Sequence, residues 1–269
     1  MNILDIQPNF WLYWFTFCGI IMGGYFVTAY AYQVLCSALK KVAVAQANSF
    51  PINSSRTHSA QAKRTQQRQG AIAEDIKLSI LSVIAFALGA ACFMLCFRRG
   101  YTQIYLDWQT QGFGYLIFSY AVVLLAQDTF FYFMHRLFHV RPLFQWFHRG
   151  HHRSRPPTPW TFFAMEPLES FIQAAFLLAL TLVLPLHIGV LIAVLLTMSV
   201  WAAGNHLGFQ VVPDSRLSRQ IGKWCIGSTY HLVHHQRYTR HYGLYFTFWD
   251  RMLGTQDDSL DGQYPPSKS

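Results

Sequence analysis

Three groups of closely spaced histidines are the residues of this chain best suited to metal binding or catalysis. They are His135 and His139; His148, His151 and His152; and His231, His234 and His235. Spacings of three and four residues predict that the imidazoles of one group share one face of a helix. Neutral imidazole is the commonest nitrogen ligand of metals and suits iron, zinc, copper and nickel. Because eight imidazoles exceed what one ion can bind, the pattern predicts two metal ions held by histidine.

Other kinds of metal site match this pattern poorly. Zinc hydrolases usually add a general-base glutamate, as in H-E-x-x-H, and soluble di-iron proteins use E-x-x-H helices; the sequence contains neither motif. A site of two histidines and one carboxylate, or a haem, would leave most of the histidines unused. Two irons with nitrogen ligands use the most residues, and such a pair can reduce O₂ to an oxidant that breaks an unactivated C–H bond. The alternative is a non-enzymatic helical membrane protein that binds metal or haem.

The composition indicates a membrane protein. Of 269 residues, 52% are hydrophobic and 12% are charged, about half the charged share of roughly 25% in soluble domains. The formal net charge is +9, and the basic residues lie mainly in loops beside apolar segments, which favours contact with a membrane surface. No recognition motif for nucleic acid accompanies the charge, so we expect no nucleic-acid partner.

The apolar stretches that must position the histidines predict an all-α, multi-pass chain. We expect a first transmembrane span in 1–39, a basic polar linker over 40–77, a catalytic domain over 78–256 and a polar tail over 257–269. Within the domain, 78–97 and 113–134 are long enough to span a bilayer, and 168–203, interrupted at Pro185, predicts a helical hairpin or two shorter spans. The basic 40–77 loop predicts a cytoplasmic position for itself and, counting spans, for every histidine group.

Three further positions near the histidine groups have more than one interpretation. Asp128 precedes His135 by two helical turns and could accept a hydrogen bond from a ligating imidazole; the alternative is an intramembrane acid that pairs with an arginine. His206, at the exit of the predicted hairpin, is either a ninth ligand or an interfacial histidine. We expect His187, near Pro185, at the membrane interface.

Five motifs resemble those of the fatty acid hydroxylase/sterol desaturase superfamily of membrane di-iron oxidoreductases. They are D-x-x-x-Y-x-x-H-R-x-x-H at 128–139, H-x-x-H-H at 148–152, N-H-x-G at 205–208, H-x-x-H-H at 231–235 and YGLYFTFWDRMLGT at 242–255. The resemblance runs from about residue 71 to residue 255. The stretches 74–82, 99–105 and 151–160 most resemble the C5-sterol-desaturase-like branch.

The resemblance implies a fold, a ligand set and an activity. The fold is a transmembrane helical stem beneath a cytosolic helical cap that holds the dinuclear site. The implied ligands of two iron ions are His135, His139, His148, His151, His152, His206, His231, His234 and His235. We expect four neighbouring side chains to support these ligands: Asp128, Asn205, His241 and Asp250.

The implied activity is desaturation or hydroxylation of a lipid, either a sterol or a fatty acyl chain. The reaction would use O₂ and electrons from a separate carrier of the cytochrome b5 or ferredoxin type. The implied location is a multi-pass position in the bacterial inner membrane or the endoplasmic reticulum, depending on the host, with the active site on the cytoplasmic side.

Two positions depart from the superfamily pattern. Glu166 stands where relatives often carry histidine, and His241 stands where they usually carry asparagine. If either side chain contacts metal, the site differs from that of its relatives; otherwise both positions are supporting and tolerant.

Overall fold

Almost all of the ordered secondary structure is helical. The computed structural model describes residues 9–47, 58–155, 157–207 and 216–257. Its helices are α1 (Phe10–Ala47), α2 (His58–Arg98), α3 (Phe113–Phe138), α4 (Leu143–Phe147), α5 (Pro167–Val183), α6 (Ile188–Asn205), α7 (Arg216–Gly222), α8 (Ser228–Arg237) and α9 (Phe248–Met252). Short 3-10 turns cover Trp108–Thr110, His151–Arg153 and Pro159–Phe163, and two-residue strands form β1 (Ile104–Tyr105) and β2 (Leu186–His187). The prediction of an all-α chain is confirmed.

Among the described residues, four helical segments are long and apolar enough to cross a membrane. They are Phe10–Leu39, Arg68–Arg98, Phe113–Phe138 and Ile188–Asn205, and Pro167–Val183 is a shorter apolar helix. The apolar stretch 168–203 therefore forms the pair α5 and α6, which are separated at Pro185 because proline cannot continue a helix. The protein is an integral membrane protein with several spans.

The boundary between stem and linker lies differently from the sequence prediction. Helix α2 begins at His58, inside the stretch 40–77 that was predicted as a polar linker. Residues 48–57 of that stretch, Gly208 of the N-H-x-G motif and residues 258–269 of the predicted tail lie outside the described residues.

Polar contacts identify the end of the stem that carries the cap, which we define as 139–166 and 206–257. Near the start of the second apolar segment, the Asp75 carboxylate accepts hydrogen bonds from the Ser154 and Thr161 hydroxyls of the cap. The Tyr25 hydroxyl of α1 donates to the Trp160 carbonyl, 3.1 Å away. The parallel pairing of β1 with β2 joins the loops that precede α3 and α6. Since α3 and α6 both run from these loops towards the cap, their C-terminal residues reach the same place.

Aromatic and small side chains pack the stem against the cap. A buried cluster combines α1, α2, α5, α6 and the turn Pro159–Phe163; its members are Tyr25, Ala29, Val83, Phe86, Phe162, Phe163, Ala174 and Ala203. Helices α2 and α5 approach closely at Gly89, where an added Cβ would lie 2.5 Å from the Cβ of Ala174. Small residues permit this close backbone approach, as they do at many helix interfaces in membranes.

We therefore predict that Gly89→Ala destabilises the protein by about 1–3 kcal/mol, because the new methyl group forces α2 and α5 apart. Thermal unfolding in detergent micelles should show a lower midpoint for this variant. Gly19→Ala is the matched control, because nothing lies within 4 Å of a Cβ added there. An unchanged midpoint for Gly89→Ala would contradict the close packing of the two helices.

Candidate metal centre

The structure brings all nine sequence-predicted histidines together. Eight of them belong to the cap, and His135 lies near the end of α3. They form two groups, which we call the five-histidine group and the four-histidine group. The first contains His135, His139, His148, His152 and His234, and the second contains His151, His206, His231 and His235. Within each group, the candidate ligand atoms all lie within 4.8 Å of one another. The groups are adjacent, since the rings of His152 and His235 are 4.6 Å apart.

Neighbouring histidines of each H-x-x-H-H motif enter different groups. His152 belongs to the five-histidine group and His151 to the four-histidine group, and His234 and His235 divide in the same way. Successive residues of a helix point about 100° apart, so adjacent imidazoles face different directions. The rings of each triplet nevertheless stay close together, with centroids no more than 6.0 Å apart. The division places the two groups side by side.

Within each group, the Nε2 atoms point towards one another. The Nε2–Nε2 distances are 2.9 Å for His135–His148, 3.1 Å for His152–His234, 3.3 Å for His151–His206, 2.9 Å for His206–His231 and 3.0 Å for His231–His235. Two nitrogens each about 2.1 Å from one ion and at a right angle lie about 3 Å apart. The spacing of these atoms thus fits ligands around a common ion.

The outward nitrogen of five imidazoles bonds to an oxygen. The Nδ1–H groups donate to the Tyr242 carbonyl (His135, 2.9 Å), Glu169 Oε2 (His148, 2.9 Å), the Ala164 carbonyl (His151, 3.1 Å), the Ala202 carbonyl (His206, 2.6 Å) and the Arg240 carbonyl (His234, 2.7 Å). An acceptor on Nδ1 fixes the proton there and leaves the lone pair of Nε2 facing inwards. This is the tautomer that a metal ligand requires.

Burial keeps the cap histidines neutral. It lowers the pKa of His139 to about 3 and that of His151 to about 4, and it holds the pKa of His231 and His234 well below the usual value. Nε2 of His139 is buried and finds no hydrogen-bond partner among the described residues. A buried polar atom without a partner is costly, and a metal ion would satisfy it. The donor set therefore fits a pair of transition-metal ions.

Two buried carboxylates hold the loop 242–246 against the five-histidine group. Asp250 accepts the backbone N–H groups of Tyr242 and Gly243 at 2.9 and 3.0 Å. Oδ1 of Asp128 accepts the N–H groups of residues 244–246 at 3.2, 2.7 and 3.2 Å. The expected bond between Asp128 and an imidazole is replaced by this backbone contact. Asp128 therefore acts on His135 indirectly, because the same loop presents the Tyr242 carbonyl to that ring.

Asn205 and a glycine complete the attachment of this loop. The Asn205 side-chain amide donates to the Leu244 carbonyl at 3.3 Å. A Cβ added to Gly243 would lie 2.4 Å from the Phe246 carbonyl oxygen, so only glycine fits the tight turn.

Each of the two departures from the superfamily pattern accepts a backbone N–H group. Oε1 of Glu166 accepts the Gly150 N–H at 3.0 Å, within the turn that carries His151 and His152. His241 has a positive φ of 57°, a region in which asparagine and histidine are enriched. Its ring accepts the Asp257 N–H at 3.3 Å.

Sequence reasoning missed Glu169. This glutamate is buried on α5 and accepts the Nδ1–H of His148. A carboxylate bound to the outer nitrogen of a histidine orients that ring and makes it a stronger metal ligand. The available signal was a single acid in the apolar stretch 168–203, because an ionisable group at such a position is a functional candidate by default.

An apolar cavity leads from the stem to both histidine groups. It lies between α2, α3, α5, α6 and the turn Pro159–Phe163. Its walls are largely formed by Phe86, Phe131, Phe162, Phe163, Met165 and Met198, and His135, His148, His151, His206 and His231 lie at its inner end. A hydrophobic molecule in this cavity would contact the edge of both candidate metal sites.

We predict that Glu169→Gln weakens metal binding roughly 10–100-fold, because the neutral amide no longer polarises and orients His148. Competition with a graded series of chelators would measure this change on the purified protein. Glu74→Gln is the control, since Glu74 is an exposed partner of Lys77. Equal metal affinity in the Glu169→Gln variant and the unmodified protein would exclude a role for this carboxylate in the site.

Comparison with known proteins places this arrangement among membrane lipid oxidoreductases. The family model for fatty acid hydroxylases matches residues 120–255. Lathosterol oxidase of Rattus norvegicus is 29% identical over 209 residues, which cover 76% of this chain and 68% of the relative. A delta(7)-sterol 5(6)-desaturase of Gibberella zeae is 28% identical over 199 residues (72% and 54%), and that of Saccharomyces cerevisiae is 25% identical over 194 residues (70% and 51%). None of the solved structures matches the chain.

Proposed function

The chain belongs to the fatty acid hydroxylase family, and from this premise we propose that it is a non-haem di-iron enzyme that desaturates or hydroxylates a lipid with O₂. Its relatives include sterol desaturases, so the resemblance to the C5-sterol-desaturase-like branch is confirmed. The protein is accordingly a lipid oxidoreductase of the membrane. The two iron ions, the use of O₂ and the electron donor are the parts of the proposal that experiments must test.

One observation carries the proposal: two histidine groups with converging Nε2 atoms lie at the inner end of an apolar cavity. A bound pair of irons supplies the redox chemistry that activates O₂ and oxidises a C–H bond. The five-histidine group would hold one ion and the four-histidine group the other. The phenylalanine and methionine side chains of the cavity bind the lipid and exclude water, which protects the reaction from side products.

The surrounding residues fix the geometry of the ligands. Glu169 and the carbonyls of residues 164, 202, 240 and 242 hold the outer protons of five imidazoles. Asp128, Asp250 and Asn205 support the loop that carries one of these carbonyls. The choice between alkene and alcohol as the product depends on where the cavity holds the second hydrogen of the substrate, because both outcomes use the same ligands.

We propose a sterol or a fatty acyl chain as the substrate, with a sterol favoured by the similarity to sterol desaturases.

We also propose that the cap faces the cytoplasm of a bacterium or the cytosolic side of the endoplasmic reticulum. This orientation is supported by the basic stretch 40–77, which connects the cap-proximal ends of α1 and α2. A soluble or membrane-attached carrier of the cytochrome b5 or ferredoxin type would then deliver electrons to the exposed side of the cap. The proposed catalytic domain, 78–256, contains all nine candidate histidine ligands.

We predict that the purified protein contains two irons per chain and that each group can be emptied separately. His148→Ala should remove iron from the five-histidine group and His231→Ala from the four-histidine group, and each should abolish oxidation of a sterol mixture by reduced carrier and O₂. Metal analysis by mass spectrometry and product analysis by gas chromatography measure the two effects. His187→Ala is the control, because this histidine bonds to the Leu106 carbonyl in the loop region distant from the cap.

Other metal contents would contradict the proposal in distinct ways. Zinc alone, without oxygen-dependent turnover, would indicate a different metalloprotein. A Soret band in the absorption spectrum would favour the alternative of a haem-binding helical protein. Iron loss in both variants without any change in the products would show that the bound irons do not carry out the proposed reaction.

A further inference from the structure

A second surface of the protein, distinct from the histidine cavity, combines exposed apolar and basic side chains. On α7, α9 and the adjoining turns, the exposed apolar residues are Leu217, Ile221, Trp224, Phe248, Met252 and Leu253. Arg216, Lys223 and Arg251 accompany them in the same segments. Short segments with apolar and basic side chains are typical of parts that lie in the headgroup layer of a membrane. We call this the interfacial surface.

A pocket opens between the interfacial surface and α3. Its lining comprises Leu125, Asp128, Thr129, Trp224, Phe246, Phe248 and Trp249. None of these seven residues lines the histidine cavity. Leu125 is exposed on α3, so the pocket is continuous with the side of this helix that faces lipid. Four aromatic rings and one carboxylate are an unusual combination for a site that would bind only hydrocarbon.

The Asp128 carboxylate is bound by backbone N–H groups of the neighbouring loop. Its Oδ1 accepts the three N–H groups of the loop 242–246. Within the described part of the chain, no lysine or arginine forms an ion pair with it. A buried anion is costly unless a charge or enough hydrogen bonds compensate it. A cationic group in the pocket would supply that charge.

The aromatic walls indicate which kind of cation fits. Trp224 already accepts a cation on its ring, since the Arg251 guanidinium carbon lies 5.2 Å from the ring centroid. Phe248 and Trp249 meet edge to face, with centroids 5.1 Å apart and ring planes at 77°. Aromatic faces with a nearby carboxylate are the usual recognition site of a quaternary ammonium, which needs no hydrogen-bond acceptors.

We propose that this pocket binds the trimethylammonium headgroup of a phosphatidylcholine-type lipid of the surrounding bilayer. The ammonium lies among Trp224, Phe246, Phe248 and Trp249 beside Asp128, and the phosphate lies near Arg251 and Lys223. The acyl chains follow the exposed apolar side of α3. The bound lipid is a structural partner, separate from the substrate in the histidine cavity, so the proposal does not depend on the enzymatic activity.

The test measures which lipid stays bound to the protein. Purified protein in maltoside micelles is incubated with equimolar dioleoylphosphatidylcholine and dioleoylphosphatidylglycerol, and native mass spectrometry counts the lipids retained per chain. We expect the unmodified protein to retain one phosphatidylcholine in preference. Trp224→Leu removes a ring but keeps an apolar side chain, and it should reduce this preference roughly three- to tenfold.

Two further variants show whether the effect belongs to the pocket. Asp128→Asn removes the charge but keeps an oxygen for the loop, and it should also lower the preference while thermal unfolding confirms that the protein is folded. Trp146→Leu changes an exposed tryptophan on α4, outside the pocket, and should leave the preference intact. Equal retention of the two lipids, or displacement of phosphatidylcholine by uncharged dioleoylglycerol at equal concentration, would overturn the proposal. A preference that persists in both pocket variants would overturn it as well.

Discussion

Nine neutral imidazoles packed with their nitrogens facing one another are the constraint on which this structure depends. A neutral imidazole carries one donor and one acceptor, so an inward lone pair requires the outer nitrogen to hold the proton. In five rings an oxygen accepts that proton. Those oxygens come from α5, α6, the turn near Ala164 and the loops around residues 240 and 242. The cap must therefore assemble as a whole before any single ring has its final orientation.

The loop 242–246 illustrates how far this requirement extends from the histidines. Its N–H groups are divided between Asp128 on α3 and Asp250 on α9, and Asn205 at the end of α6 binds one of its carbonyls. Each of these polar groups is buried, and each would be costly without its partner. The loop thereby connects two stem helices to the cap. The same connection places Asp128 at the base of the aromatic pocket, so one carboxylate takes part in two features of the fold.

Local sequence pattern predicted the helices and the eight clustered histidines, because both depend on short spacings, whereas His206 entered the predicted ligand set through the family resemblance. Apolar runs of sufficient length indicated the stem, and the break at Pro185 separated α5 from α6. The partners of the polar groups could not be predicted in this way. Asp128 contacts residues 244–246 of the loop, more than a hundred positions later, and no local pattern encodes such a contact. Glu169 was missed for the same reason, since its bond to His148 joins a stem helix to a cap turn. The division of each H-x-x-H-H motif between two groups also depends on the neighbours on either side.

The position of the cavity explains why the site lies where helices end. Water-insoluble molecules reach the protein through the bilayer, whereas polar imidazoles are most easily satisfied where backbone carbonyls leave the helical pattern, at helix ends and turns. Helices α3 and α6 meet both requirements, because their apolar middle sections form cavity walls and their last residues enter the cap. The close approach of α2 and α5 at Gly89 keeps the neighbouring wall in place. An apolar chamber and a polar, buried nitrogen cluster can thus share one boundary.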